Sequence, residues 1–354
     1  MDYIAIANQF DIEGEIISAE PYGNGLINST ILVVTSARRY IMQAINTNIF
    51  TCPDKLTENI VRITDFLKGK IAARGGDVMR ETLTPVRAKN GGFLVGNLRM
   101  YHFIEGCVCL ERIENPSQFY ETGKAFGHFQ LMLNDFPADS LFEVIPDFHN
   151  TPKRVESFKQ AVENGIKERI EECENEIKAL LSRKGDVSII MDGLDSGAIP
   201  LRVTHNDTKI NNIMLDANTL RGVCVIDLDT VMPGSALFDF GDAIRSGTNP
   251  AGEDESDLSK VYCSAQLFEA FARGFIEGMA GNLTENERGL MVRAAWTIVY
   301  EQAVRFLGDY LMGDVYYSIK YPKHNLVRAK NQLALLLDIE NKWDELEGIV
   351  RGID

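Results

Sequence analysis

Basic residues are in short supply. The chain has 36 Lys and Arg against 51 Asp and Glu, a net charge of −15 at neutral pH. That balance argues against a surface for nucleic acid or anionic membrane, both of which need clustered Lys and Arg. It does not exclude a nucleotide, which backbone dipoles, a metal ion and a few local cations can hold against an acidic background. Long apolar runs are missing, and no stretch is long enough to span a bilayer. The opening MDYIAIANQFDIEGE has neither the basic region nor the apolar core of a signal peptide. Cysteine is sparse and scattered (residues 52, 107, 109, 173, 224 and 263), and Cys107-Val108-Cys109 is too close and too isolated for a zinc site. The expectation is a cytoplasmic protein with reduced thiols, acting on small molecules, with no nucleic-acid or membrane partner. Nothing in the sequence speaks to its oligomeric state.

The 354 residues suffice for two domains or one large two-lobed one. There is no internal repeat, low-complexity tract or flexible linker, but the texture changes along the chain. Through about residue 105 β-forming runs stand out: GEIISAE, LINSTILVVT, RRYIMQAI and GGFLVGNLRMYHFI. Between the third and fourth, Leu56, Ile60, Ile63, Phe66 and Leu67 give a helical period over 54–74. After Gly106 helical patterns dominate, over 117–135, 153–183, 256–280, 284–312 and 324–350. The exception is 187–230, where SIIM, LRVTH, NIML and GVCVIDLD read as short strands. The expected fold class is therefore α+β: a small antiparallel-sheet N-lobe (1–105) followed by a larger, mostly helical C-lobe (106–354).

Three segments carry chemistry. THNDTKINN (204–212) lies between apolar runs as a polar loop. Four residues separate Asp207 from Asn212, the spacing by which a kinase loop aims a carboxylate at the attacking hydroxyl and returns an amide oxygen to Mg²⁺. His205 would hold that loop by hydrogen bonding to backbone or to another carboxylate. Fifteen residues after Asn212, Asp227 ends the apolar run of VCVIDLD, where a carboxylate can reach a metal; Asp229 is a second or outer ligand in the same reading. Both also suit strand-end turns. Asp239-Phe240-Gly241 spells a kinase signature, but a Pro-Gly turn precedes it. Asp239 is read as structural, capping a helix or bracing the loop, and Asp242 with Arg245 as a local helix-face pair. The third segment, PYGNGLINST, places Gly23, Asn24 and Gly25 between two β runs, where backbone amides can approach phosphate. An ordinary hairpin uses the same residues.

In this order the motifs resemble the aminoglycoside-phosphotransferase/choline-kinase-like superfamily, which has a bilobal protein-kinase-like fold. The phrases EPYGNGLINST, RYIMQAINTNIF, IPLRVTHNDTKINNIM, IDLDTVMPGSALFDFGDAIR and RFLGDYLMGDVYYSIKYPKHNLVR resemble its N-acetylhexosamine 1-kinase branch. That resemblance implies ATP- and Mg-dependent phosphorylation of a sugar's anomeric hydroxyl. It implies Asp207 as the base, Asn212 and Asp227 as metal ligands, and Thr230, Arg305 and Tyr316 facing the sugar. Tyr101, Phe103 and Ile104 would form the segment against which adenine docks. Gln43 stands where the wider superfamily presents a Lys to the phosphates; Lys209 is a candidate replacement, and Glu58 a candidate for the carboxylate that would pair with such a Lys. Arg305 in a surface salt bridge, Tyr316 in packing, an amino-alcohol acceptor such as choline or homoserine, and a nucleotide-binding module without turnover remain as alternatives.

Overall fold

The computed structural model of the chain describes residues 2–23 and 27–354. They form two compact units. The first comprises residues 1–109, 135–145 and 212–233, and the second comprises 110–134, 146–211 and 234–354.

The first unit is built on an antiparallel sheet of β1 (Ile16–Pro21), β2 (Ser29–Thr35), β3 (Arg39–Ala44) and β4 (Leu98–His102), in that order. Alternation makes one face apolar: Ile31 and Val33 of β2 and Tyr40 and Met42 of β3 are buried against Ala7, Phe10, Val86 and Ala88. In the fourth β-like run only Leu98–His102 is strand; Gly96 (φ +62°) turns the chain just before it. The helix Pro53–Ala73 begins with Pro in its first turn and buries Leu56, Ile60, Ile63, Leu67 and Ile71, one stripe of a 3.6-residue period. A second, three-stranded sheet joins Cys107–Val108 to Ile213–Asp216 and that strand to Gly222–Val225. Arg80 fastens it from outside through Asp216 (2.5 Å).

The second unit is helical. Met291–Leu311 has nearly every residue buried and packs against Ala236–Gly247, His324–Asn341, Thr151–Asn164 and, less extensively, Trp343–Arg351. The helices Pro116–Met132 and Ala265–Met279 meet backbone to backbone at small residues. A Cβ on Gly274 would lie 2.1 Å from the Tyr120 carbonyl oxygen, and one on Gly127 would lie 2.3 Å from that of Phe275. Backbone on both sides leaves little room to yield, so Gly127→Ala is expected to destabilise the protein by about 1–3 kcal/mol. A shift in the urea midpoint at constant slope checks this; an unchanged midpoint refutes the tight crossing.

One expectation fails here, and one helical stretch divides further than a helix or helix pair. The SIIM run is not a strand but the start of the helix Ile189–Asp195, whose opening turn is tied by Ser188 Oγ donating to Asp192 Oδ2 (2.7 Å). Four apolar residues carry no period that separates strand from helix. The 153–183 stretch is three helices, Thr151–Asn164, Lys167–Glu172 and Glu174–Leu181, broken first at Gly165 and then at Cys173. Among the described residues no helix is long and apolar enough to cross a membrane.

Candidate active site

In the first unit the strand register places Gln43 of β3 opposite Arg99 of β4. Gln43 Oε1 accepts from Arg99 Nε (3.2 Å) and Nη2 (2.9 Å), and its amide donates to Thr30 Oγ1 (3.3 Å). The Arg99 guanidinium also pairs with the Asp229 carboxylate, and both side chains are almost wholly buried. Asn28 donates to Asp229 Oδ2 (2.5 Å) and accepts from the Asn46 amide (3.0 Å). Both oxygens of Asp229 thus face partners within the protein. An adjacent cation thus shares the carboxylate that the sequence offered as a second or outer metal ligand.

Asn212 closes the turn Ile210–Asn212 and is buried, and its carbonyl accepts from Ile226 N (2.9 Å). That bond brings the Asn212 backbone beside the residue preceding Asp227. Asp227 has φ +59°, a left-handed conformation that Asp tolerates better than most residues and that marks a local constraint. An amide oxygen and a carboxylate are hard donors of the kind Mg²⁺ takes, with phosphate and water completing its shell. Among the described residues no group of three or more His, Cys, Asp or Glu gathers as an all-protein metal cage. Thr230 is buried at the end of the turn Leu228–Thr230.

Of the glycine segment, Gly23 has φ +70° and open space where a Cβ would be, while Asn24 and Gly25 lie outside the described residues. Tyr101 and Ile104 are buried. Phe103 donates its amide to the Arg39 carbonyl (3.1 Å), which removes that N–H as a donor to adenine, and its ring lies 4.0 Å from the Arg39 guanidinium. Glu58 is exposed on Lys55 (2.8 Å), so it is not the carboxylate for a phosphate-binding cation.

The second unit holds the rest of the loop. His205 and Asn206 are buried, and Asn206 has φ +64°. Asp239 braces both, Oδ2 accepting from His205 N (3.0 Å) and Oδ1 from Asn206 N (2.7 Å). Gln130 donates to Asp239 Oδ2 (2.5 Å), and Thr208 Oγ1 donates to the Asp239 carbonyl (2.5 Å). Ser235, not Asp239, caps the helix Ala236–Gly247. Burial pushes the Asp239 carboxyl above the usual range, against the pull of His205 and the two amides. Asp242 is more than a helix-face partner of Arg245 (2.9 Å): the pair is buried, and Asp242 Oδ2 accepts from Thr208 N (2.9 Å).

Asp207, at the tip, receives support from His205, whose Nδ1 accepts from Asp207 N (3.3 Å). Lys209 Nζ sits 2.6 Å from Asp207 Oδ1. Burial lowers the lysine's pKa, but the Asp207 and Asp242 carboxylates outweigh it, so the ammonium keeps its proton.

A buried chain of contacts runs back from this loop. His149 Nε2 lies 3.3 Å from the Asn206 carbonyl and Nδ1 lies 2.9 Å from Glu301 Oε1, while Thr151 Oγ1 donates to Glu301 Oε2 (2.8 Å). One helical turn along, Arg305 approaches Glu301 at 3.9 Å and lies over the rings of Phe148 and Tyr317. It is far from a surface salt bridge, with 13 % of its side chain exposed. Tyr316 is exposed rather than packed in a core, and its backbone is held by Asp309, whose carboxylate accepts from the amides of Val315, Tyr316 and Tyr317 (2.8–2.9 Å).

The model of a family described as the phosphotransferase enzyme family matches residues 18–280. The chain belongs to that family. Three solved structures resemble this phosphotransferase over nearly its whole length. A microcompartment-associated aminopropanol kinase matches at TM-score 0.63 and 14% identity, covering 98% of each chain. Choline kinase from Cryptosporidium parvum matches at 0.59 and 15%, covering 98% of this chain and 96% of the other. A spectinomycin phosphotransferase in complex with ADP and spectinomycin matches at 0.58 and 12%, covering 99% and 97%. At these identities the likeness shows the fold, the protein-kinase-like α+β fold expected from the sequence.

The phosphotransferase's supporting residues were the ones sequence reasoning missed: Asn28, Arg99, His149, Glu301 and Asp309. Asn28, Arg99, His149 and Glu301 act through partners remote in the chain, whereas Asp309 holds amides six to eight residues on; Arg99 had a local trace, a basic residue inside an apolar strand run.

Proposed function

We propose that this phosphotransferase is an ATP- and Mg-dependent kinase of the anomeric hydroxyl of N-acetylhexosamines. In this reading Asp207 orients the sugar hydroxyl and accepts its proton as the new bond to phosphorus forms. Lys209 stays protonated and fixes the carboxylate. Asn212 and Asp227 would hold Mg²⁺, which when bound would supply charge neutralisation at the phosphates. Residues 1–105 serve the nucleotide, with the first unit's later segments adding the metal ligands, and the helical remainder serves catalysis and the acceptor.

The observation that carries the choice of acceptor is the positive charge beside Tyr316 and Tyr317. Arg154 stands near Arg305: burial first, then the Arg305 charge, depresses its pKa, and it donates to the Phe148 carbonyl (3.0 and 3.3 Å). A quaternary ammonium or amino alcohol would bring a further cation to two guanidinium groups, whereas the hydroxyls and N-acetyl carbonyl of a neutral sugar supply acceptors for them. The amino-alcohol reading has its own support in the aminopropanol and choline kinases among the resembling structures, and the arginines weigh against it.

The test is ADP release from Mg-ATP with GlcNAc, GalNAc, glucose, galactose, choline and homoserine, with the phosphorylated product identified. A sugar 1-phosphate from the N-acetylhexosamines is the expected result. Turnover only with an amino alcohol would overturn the acceptor assignment. Arg305→Met should raise the acceptor KM about tenfold or more with the ATP KM unchanged, the size of one lost hydrogen bond to a charged group.

A further inference from the structure

Among the described residues of the first unit, Arg99 is the one basic side chain that is buried. Such a charge needs a reason, because leaving water is costly unless every N–H finds a partner. Arg99 is only partly provided for. Nε and Nη2 are taken by Gln43 and Nη2 also approaches Asp229, while Nη1 has no hydrogen-bond partner among the described residues. The frame around it is rigid: Gln43 is fixed by strand register and Thr30, and Asp229 by Asn28, itself tied to Asn46. An arginine used only to balance Asp229 would not need an amide placed to orient its fork.

The geometry points to Arg99 as a phosphate-binding residue, lending its guanidinium charge and remaining N–H to the phosphate chain of a nucleoside triphosphate. This rests on the kinase reading. A magnesium triphosphate carries surplus negative charge, Asp227 adds to it, and Gln43 brings none. Guanidinium matches phosphate in both charge and planar donor geometry. Burial works against the charge, yet Asp229, Tyr101 and Asp227 together hold the guanidinium's pKa above its ordinary value, so Asp227 lies within its electrostatic reach. Asp229 then positions Arg99 and binds no metal.

The experiment measures binding of MgATP, MgADP and adenosine to the full chain by calorimetry, in wild type and in Arg99→Met, Arg99→Lys and the charge-relocated double variant Gln43→Lys with Arg99→Gln. Arg99→Met should weaken MgATP about 10- to 100-fold, the worth of a charged hydrogen bond, weaken MgADP less, and leave adenosine within about twofold. The double variant should recover most of the MgATP affinity. A purely structural arginine would affect adenosine and MgATP alike, and that result, or unchanged MgATP affinity, overturns the assignment. Should Arg99→Met fail to fold, Arg99→Lys carries the same comparison of MgATP with adenosine. A wild-type chain that binds no MgATP overturns the nucleotide reading itself and Arg99's role with it, an outcome distinct from wild-type binding that survives Arg99→Met.

Discussion

Replacing Asp207 by Asn should lower kcat by about 10³-fold, within the range of a lost general base, while MgATP affinity stays close to wild type. The substitution keeps size and shape, and the loop keeps the bonds that run through Asp207 N on His205 and through Asp239 and Asp242. What is lost is a negatively charged proton acceptor, with Lys209 losing its partner at 2.6 Å. Single-turnover rates with the best acceptor, set beside calorimetric MgATP binding, check this. A kcat within severalfold of wild type would mean that Asp207 merely orients the acceptor and that the phosphoryl group itself takes the proton.

Asp239→Ala should be the most damaging single change outside Asp207. It strips the buried amides of His205 and Asn206 and the Gln130 side chain of one shared acceptor. Unsatisfied buried donors cost about 1–3 kcal/mol each, and a buried charged partner that vanishes costs about 3–5 kcal/mol in all, so a drop of that order in unfolding free energy is expected. Activity should fall further than stability explains. Asn206 is held at φ +64° by this carboxylate, and when it relaxes the next residue, Asp207, turns with it. Asp239→Asn retains an acceptor oxygen and should fall between. Urea midpoints and kcat, measured on the same samples well below the melting transition, separate the two effects; a fully active, destabilised Asp239→Ala would show that the brace serves folding alone.

That a polar segment parts the strands Arg202–Thr204 and Ile213–Asp216 was legible because its signal is local: a polar run between apolar ones needs no knowledge of the rest of the chain. The bracing of that loop by Asp239 was half legible. The Pro-Gly letters before DFG read as a turn and took Asp239 off the metal's list, yet Met232–Gly234 is a short strand, and the letters could not say whether Asp239 capped a helix or held the loop. The four-stranded sheet followed from alternation, whereas SIIM failed because it is shorter than the period it would have to display. Arg99 left a trace, a basic residue inside an apolar strand run, but its partners were beyond reading. Its partner Gln43 is opposite it only through the β3–β4 register, and Asp229 is 130 residues away in sequence. His149 and Glu301 stand 152 residues apart, and a lone histidine in sequence names no carboxylate.

The first unit returns to the chain twice after residue 109, at 135–145 and at 212–233. It therefore cannot travel as a cassette. A fragment ending at Cys109 would keep the four-stranded sheet but leave behind Asn212, Asp227 and Asp229, stranding the Arg99 guanidinium in the interior without its carboxylate. Recombination between relatives meets the same constraint. A crossover that brings in a foreign 212–233 must bring a residue compatible with Arg99, while one confined to the helices bearing Arg154 and Arg305 leaves that pair intact. The helices outside the first unit are thus the part that this architecture leaves open to exchange.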